Sequence, residues 1–150
     1  MKYLFAILLS TFIFSSNSYI VQNESSSLEW IGSKITGSHN GHVDFLSGEI
    51  IFNDKTILTG NLIVDMQTIT NEDISDLKYR GYLVNHLKNE DFFSVDSFPY
   101  ARLDILKHLE ISDEYRKLGF NALVKCNLTI KGITHEVDIP MTLDVYNGHA

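Results

Sequence analysis

The sequence LGFNALVKCNLTIKGITHEVDIPMTLDV, residues 118–145, decides the fold class of this chain. Apolar residues occupy every second position on both sides of Lys131-Gly132. Before that link they are Leu118, Phe120, Ala122, Val124, Cys126, Leu128 and Ile130, and after it Ile133, Val137, Ile139, Met141, Leu143 and Val145. A period of two is typical of a strand with one buried face, and Gly in a two-residue link supplies the positive φ of a tight turn. The stretch therefore predicts a long antiparallel hairpin.

The alternation also predicts the pairing register of this hairpin. With Ile130 opposite Ile133, Leu128 faces His135. Apart from Leu128, each apolar residue of the first strand then lies opposite an apolar residue of the second. A slip by one residue would mix the two faces, so the register is well specified.

The remaining chain reads as further strands with one interruption. Strands are predicted at 19–22, 27–36, 42–53, 59–67, 100–109, 115–130 and 133–146. The apolar phase within 42–53 changes near Gly48, which predicts a bulge or a bend. Residues 36–41 read as a loop because two glycines bracket polar turn formers. We therefore expect an all-β, mainly antiparallel protein.

The interruption is a predicted helical insertion at residues 70–89, where apolar residues follow a helical spacing more closely than an alternating one. Thr70 or Asn71 is the candidate N-cap, with Glu72 and Asp73 in the first turn, where the helix dipole favours negative charge.

The N-terminus has the order of a secretory signal peptide. Lys2 precedes a short apolar core, and small polar residues follow at 15–18. The apolar core is too short to cross a bilayer, so no stable membrane span is expected. We expect residues 1–18 to be cleaved near Tyr19, and residues 19–150 to form a single periplasmic or secreted domain.

The composition excludes several classes of function. The chain has 12 basic and 19 acidic residues, a net charge of −7, and no basic cluster, so it is a poor partner for nucleic acid or for anionic membrane surfaces. Cys126 is the only cysteine and is predicted to face inward, where an apolar environment disfavours its thiolate. The sequence has no phosphate-binding glycine loop, no serine nucleophile elbow and no convincing catalytic pair. We expect no enzyme activity, no cofactor and no metal.

Two motifs add a family resemblance. HLKNEDFF, residues 86–93, comes shortly before Pro99 and a predicted strand, and LTIKG, residues 128–132, joins two strands. In order and spacing these segments resemble the YceI-like family of lipid- and polyisoprenoid-binding proteins, over residues 27–145. The family fold is a lipocalin-like eight-stranded β-barrel with a helical insertion. Family members continue through a further strand or two, so we expect a truncated barrel that lacks its closing strand.

The resemblance implies a binding protein that holds a long apolar lipid, a polyisoprenoid or an isoprenoid quinone, inside the barrel for carriage, storage or sequestration. The predicted lining is Leu62, Val64, Met66, Phe120, Ala122, Val124, Cys126, Leu128, His135, Val137, Ile139 and Met141. Phe92, Phe93 and Phe98 are candidates to gate the barrel mouth or to plug the open end of the core. His135 is predicted at the rim, either satisfied locally or in contact with a ligand headgroup.

Other classes of function stay open at this stage. Alternation alone favours an ordinary solid core over a ligand-binding interior, and a solid core would make the protein an interaction module that binds partners through its loops. A metal- or redox-linked domain would use His39, His42 or His86, although no acidic or cysteine partner set lies nearby in the sequence. An open barrel also exposes the edge of the strand at 133–146, where a homodimer can form.

Overall fold

The computed structural model of the protein describes residues 16–144, except residues 36 and 55. Its elements are β1 (Asn17–Ile20), β2 (Leu28–Lys34), β3 (Gly37–Asn53), β4 (Thr56–Asp65), a 3-10 turn (Met66–Thr68), α1 (Leu77–Lys88), β5 (Tyr100–Leu109), α2 (Asp113–Lys117), β6 (Ala122–Ile130) and β7 (Ile133–Met141). Most of the predicted signal peptide and the predicted strand end near Val145 lie outside the described residues. β1 begins two residues before the predicted cleavage site near Tyr19.

The strands form an antiparallel sheet in the order β1-β3-β4-β5-β6-β7, and β2 pairs with β3 as well. The long strand β3 pairs with two strands, with β2 along Gly37–Val43 and with β1 along Glu49–Phe52. Within the described residues β7 pairs with β6 alone, so the sheet is not closed. The all-β, mainly antiparallel prediction is confirmed.

The β6–β7 hairpin has the predicted register throughout. Ile130 pairs with Ile133, Leu128 with His135, and Ala122 with Met141. Lys131 and Gly132 both have positive φ, 51° and 72°, as a two-residue turn between twisted strands requires. The predicted bulge in β3 is present as a register shift between Phe45 and Ser47, close to Gly48.

The predicted loop at 36–41 is wrong for residues 37–41, because β3 already begins at Gly37, which pairs with Lys34 of β2 in an antiparallel hairpin. Residues 70–76, named here the strap, lie against this hairpin instead of starting a helix. Thr70 N–H donates to the His42 carbonyl at 2.8 Å, and Glu72 N–H donates to the Asn40 carbonyl at 3.0 Å. A Cβ on Gly41 would lie 2.0 Å from the Thr70 carbonyl oxygen, so only glycine allows this approach.

The helix boundaries therefore differ from the prediction. Asp76, not Thr70 or Asn71, caps α1 through bonds from the N–H groups of Lys78 and Tyr79. A second short helix, α2, occupies residues where strand 115–130 was predicted to start. Its N-cap Ser112 and first-turn acids favour a helix, and β6 begins only at Ala122.

Two apolar clusters fill the inner face of the sheet. The first, the helix-side cluster, joins β3, β4 and β5 to α1 and contains Val43, Val64, Met66, Ile69, Leu87, Val95 and Ala101. The second, the hairpin-side cluster, contains Phe52, Ile57, Ile105, Val124 and Cys126. Leu83 and Val84 pack α1 onto the first cluster, and Val137, Ile139 and Met141 pack β7 onto the second.

Candidate functional site

The inner face of β6 and β7 brings together most of the predicted lining residues. Val124 and Cys126 are completely buried, and Ala122 is nearly so. Their cross-strand partners are Ile139, Val137 and Met141, which are only half-buried because β6 is the one strand that pairs with β7 among residues 16–144 as described. This part of the inner face therefore has a closed floor on β6 and an accessible apolar wall on β7.

The predicted lining residues of β4 lie towards the other end of the sheet. Val64 and Met66 are buried in the helix-side cluster. Leu62 is half-buried opposite Gly48, in a position where a Cβ on that glycine would meet the Leu62 side chain at 2.6 Å. Leu128 on β6 is also half-buried and pairs with Leu103 of β5. The inner face is thus apolar from one cluster to the other.

Two predicted lining residues are not part of this surface. Phe120 lies outside β6, because α2 and a turn replace the predicted strand start, and its ring contacts Tyr115 edge to face at 6.3 Å. His135 is exposed on β7 near the hairpin turn, rather than lining an enclosed interior. Leu118, also predicted to point inward, is 68% exposed.

The three phenylalanines of the predicted mouth lie between α1 and β5. Phe93 packs on the helix-side cluster. Phe92 is exposed and stacks edge to face on Phe93, with ring centroids 4.7 Å apart. Phe98 is partly exposed and covers the β6–β7 turn, since a Cβ on Gly132 would meet its ring at 2.8 Å. Phe93 thus fills the core, and its two neighbours lie over the end of the sheet.

A partly open cavity of about 780 Å³ lies at the opposite end of the sheet. It is lined by Asp54, Thr56, His108, Asn121, Ala122, Leu143 and Asp144. The ring Nδ1 of His108 accepts a long bond, 3.4 Å, from the Ile57 N–H, which leaves Nε2 as the donor in the neutral ring. The cavity therefore joins the apolar floor at Ala122 to a polar rim.

Sequence reasoning missed this cavity because its lining comes from turns and strand ends far apart in the chain. The useful signal is that the β3–β4 turn, the end of β5 and the start of β6 meet at one end of an antiparallel sheet.

Histidines 39 and 42 are each paired with a carboxylate of the strap. His39 Nδ1 lies 2.7 Å from Asp73 Oδ2, and His42 Nδ1 lies 2.8 Å from Glu72 Oε1. The fold thus brings an acidic partner to each of these histidines from a segment that is about 30 residues away in the sequence. Among the described residues, no group of three His, Cys, Asp or Glu side chains has the arrangement of a metal site.

Asp73 is the most strongly perturbed acid of the described residues. The hydrogen bond with His39, the N–H of Asn40 at 3.0 Å and the side chain of Asn71 hold the pKa of Asp73 far below its ordinary value of 3.8. Trp30 Nε1 donates to the Thr70 carbonyl at 2.8 Å beside it. The strap is thereby held on the β2–β3 hairpin by charge-assisted bonds.

The thiol of Cys126 is chemically protected. Burial raises its pKa, and Val137 lies opposite it on β7. On the outer face of the same hairpin, Lys125 Nζ contacts Glu136 at 2.7 Å and Asp138 at 3.3 Å, and these bonds raise the pKa of the lysine. Neither group has the arrangement of an activated nucleophile.

Comparison with known proteins gives the family of this fold. The sequence model of the YceI-like domain matches residues 19–149. The chain belongs to the YceI-like family. The resemblance carried by residues 86–93 and 128–132 is thereby confirmed.

Among solved structures, this YceI-like chain is similar to a crystal structure of a mutant CJ YceI protein with a monobromobimane guest. The TM-score is 0.45 and the identity 14%, covering 93% of this chain and 61% of that chain. The chain thus spans about three fifths of that protein's length. No curated protein matches it. None of the described helices is both long and apolar enough to cross a membrane.

Proposed function

We propose that this YceI-like protein is an exported, non-enzymatic binding protein for a long apolar lipid, a polyisoprenoid or an isoprenoid quinone. The observation that carries the proposal is membership of a polyisoprenoid-binding family, matched over residues 19–149. The ligand would lie along the inner face of the sheet, with its chain against β6 and β7.

The apolar inner face supports this proposal on energetic grounds. Transfer of one methylene from water to an apolar environment contributes about 0.8 kcal/mol, so five methylenes contribute about 4 kcal/mol, nearly a thousandfold in affinity. A long isoprenoid chain therefore needs no charged contact to bind tightly. Val137, Ile139 and Met141 offer it a half-open apolar wall over the floor of Val124 and Cys126.

The direct test is mass spectrometry of an organic extract from protein purified under native conditions. A stoichiometric prenyl lipid or quinone is the expected result, and it would name the cargo. The substitution Val137→Ser shortens the apolar wall and should lower lipid affinity about tenfold, since it removes roughly two methyl groups from the contact. Ile31→Ser, on the exposed face of β2, is the matched control and should retain the lipid.

The second candidate is a protein-interaction module with a solid core. It is favoured by the close packing of Phe52, Ile57, Val124 and Cys126, each at most 1% exposed. An extract without lipid from folded protein, together with unchanged thermal stability when prenyl lipids are added, would support this candidate and overturn the lipid-binding proposal.

Export is the remaining part of the proposal and rests on the order of residues 1–18. Expression in a bacterial host followed by cell fractionation tests it. Mature protein that begins near Tyr19 and lies in the periplasmic fraction is expected, whereas full-length protein in the cytosol would contradict export.

A further inference from the structure

Helix α1 buries only one of its faces. Leu83, Val84 and Leu87 pack onto the helix-side cluster. Arg80 Nε donates to the Ile74 carbonyl at 2.7 Å, which fixes the start of the helix to the strap. Outside this buried face, Tyr79 and Tyr82 are 63% and 58% exposed. The helix is thus firmly seated while it presents large aromatic side chains to the outside.

The exposed aromatic side chains of the described residues all lie between positions 79 and 100 of the chain. They are Tyr79, Tyr82, Phe92, Phe98 and Tyr100. Tyr79 and Tyr82 stack edge to face at 6.2 Å, and the ring of His86 lies 6.1 Å from that of Phe92. These exposed aromatic residues, on α1 and on the segment leading into β5, are named here the aromatic end.

The segment around the aromatic end is electrically neutral. Residues 77–99 hold three basic and three acidic residues: Lys78, Arg80, Lys88, Glu90, Asp91 and Asp96. The whole chain has a net charge of −7, so all of its net negative charge lies outside this segment. Mixed charges of both signs complement a zwitterionic headgroup, which carries a phosphate and an ammonium, better than they complement a surface of one sign.

We propose that the aromatic end docks the protein on the surface of a zwitterionic phospholipid bilayer. Tyrosine and phenylalanine rings prefer the headgroup level of a bilayer, where an apolar body meets a wet polar end. Lys78, whose Nζ lies 5.8 Å from the centre of the Tyr82 ring, places its charge at the level of lipid phosphates. This docking does not depend on whether the inner face holds a lipid.

Flotation with vesicles of phosphatidylcholine and phosphatidylethanolamine tests the proposal. The full chain should float with the vesicles, equally at low and at high salt, because docking by aromatic rings is not screened. The double substitution Tyr79→Ser and Tyr82→Ser should weaken binding about tenfold, since both rings lose their apolar contact. The matched control is Ile31→Ser with Leu118→Ser, two side chains that are 70% and 68% exposed elsewhere, and it should bind as the unchanged protein does.

A fluorescent reporter locates the contact independently of residues 1–18, which all variants share. Tryptophan introduced by Tyr82→Trp should shift its emission to the blue when zwitterionic vesicles are added, and one introduced by Leu118→Trp should not. Unchanged emission from the Tyr82→Trp protein would overturn the proposal. So would binding that requires anionic lipid and disappears at high salt, or serine substitutions that turn a dimer into a monomer and leave vesicle binding intact.

Discussion

At the scale of single residues, Asp73 is the side chain that ties the strap to the β2–β3 hairpin. It accepts hydrogen bonds from the Asn40 N–H and the Asn71 side chain, and it pairs with His39. Thr70, Asn71 and Glu72 also bond to β3, so residues 70–73 together hold the edge of the hairpin close to the helix-side cluster. Because the ionised carboxylate is the better acceptor, these bonds are worth most when Asp73 is charged.

Replacement of Asp73 should therefore give a pH-dependent loss of stability. The pKa of Asp73 is lower in the folded protein than its ordinary value of 3.8. Its contribution to folding is then complete above about pH 4 and is lost as the pH falls towards the folded-state value. We expect Asp73→Asn to lower the melting temperature at pH 7, and we expect the difference from the unchanged protein to shrink below pH 4.

Thermal unfolding followed by circular dichroism over a pH series measures this difference. Glu110→Gln changes an exposed acid on a loop and is the control for loss of one negative charge. A difference for Asp73→Asn that grows as the solution is acidified would contradict this account of the strap.

At the scale of elements, the β6–β7 hairpin has the most strongly determined conformation in the chain. Its alternation fixes the register, and its turn needs two residues with positive φ, at Lys131 and Gly132. The turn is also crowded, because a Cβ on Gly132 would lie only 2.8 Å from the Phe98 ring. The turn conformation and the contact with Phe98 therefore both require glycine at position 132.

Two glycine substitutions should change stability in opposite directions. Gly132→Ala introduces a Cβ at φ 72° and 2.8 Å from the Phe98 ring, so it should destabilise the protein by more than about 1 kcal/mol. Gly81→Ala lies within α1 with no atom in reach of the new Cβ, so it should stabilise the protein by about 0.5–1 kcal/mol. Urea unfolding at pH 7 measures both. Equal effects of the same sign would show that the turn is not under this constraint.

The elements that the sequence predicted poorly are those held by distant contacts. The strand pairs of the hairpin follow from local periodicity, and they were predicted correctly. Thr70, Asn71 and the acids after them have the composition of a helix start and predict a helix, whereas in the structure the strap bonds to β3. Helix α2 is different, because Ser112 and the two acids after it were local signals for a helix and were overlooked.

At the scale of the whole molecule, the candidate site depends on how strands curve together. The period of two identified inward residues such as Val124 and Cys126, but it does not show which of them remain accessible. That depends on the sheet edge at β7 and on the cavity beside His108, which both arise from the assembled sheet. The family resemblance supplied the barrel-like architecture, which alternation alone does not distinguish from a sandwich.

Strand β7 is the last in the order of the described strands, and we expect a homodimer to form through its outer edge. Strand β7 has Val137 at its midpoint, and Pro140, which lacks an N–H, weakens pairing only near one end. With a two-fold axis at Val137, an antiparallel contact between two copies would extend the inner apolar face from one chain to the next. His135 would then lie opposite Ile139 of the other copy.

We therefore expect concentration-dependent dimerisation in sedimentation equilibrium. His135→Lys should prevent it, because pairing would bring an ammonium against an apolar side chain of the other copy and cost part of its hydration. His86→Lys, at an exposed position on α1, is the matched control and should leave the dimer intact. Folded protein that sediments as a monomer at every concentration would rule out the edge contact. A dimer that survives His135→Lys would place the interface on another surface.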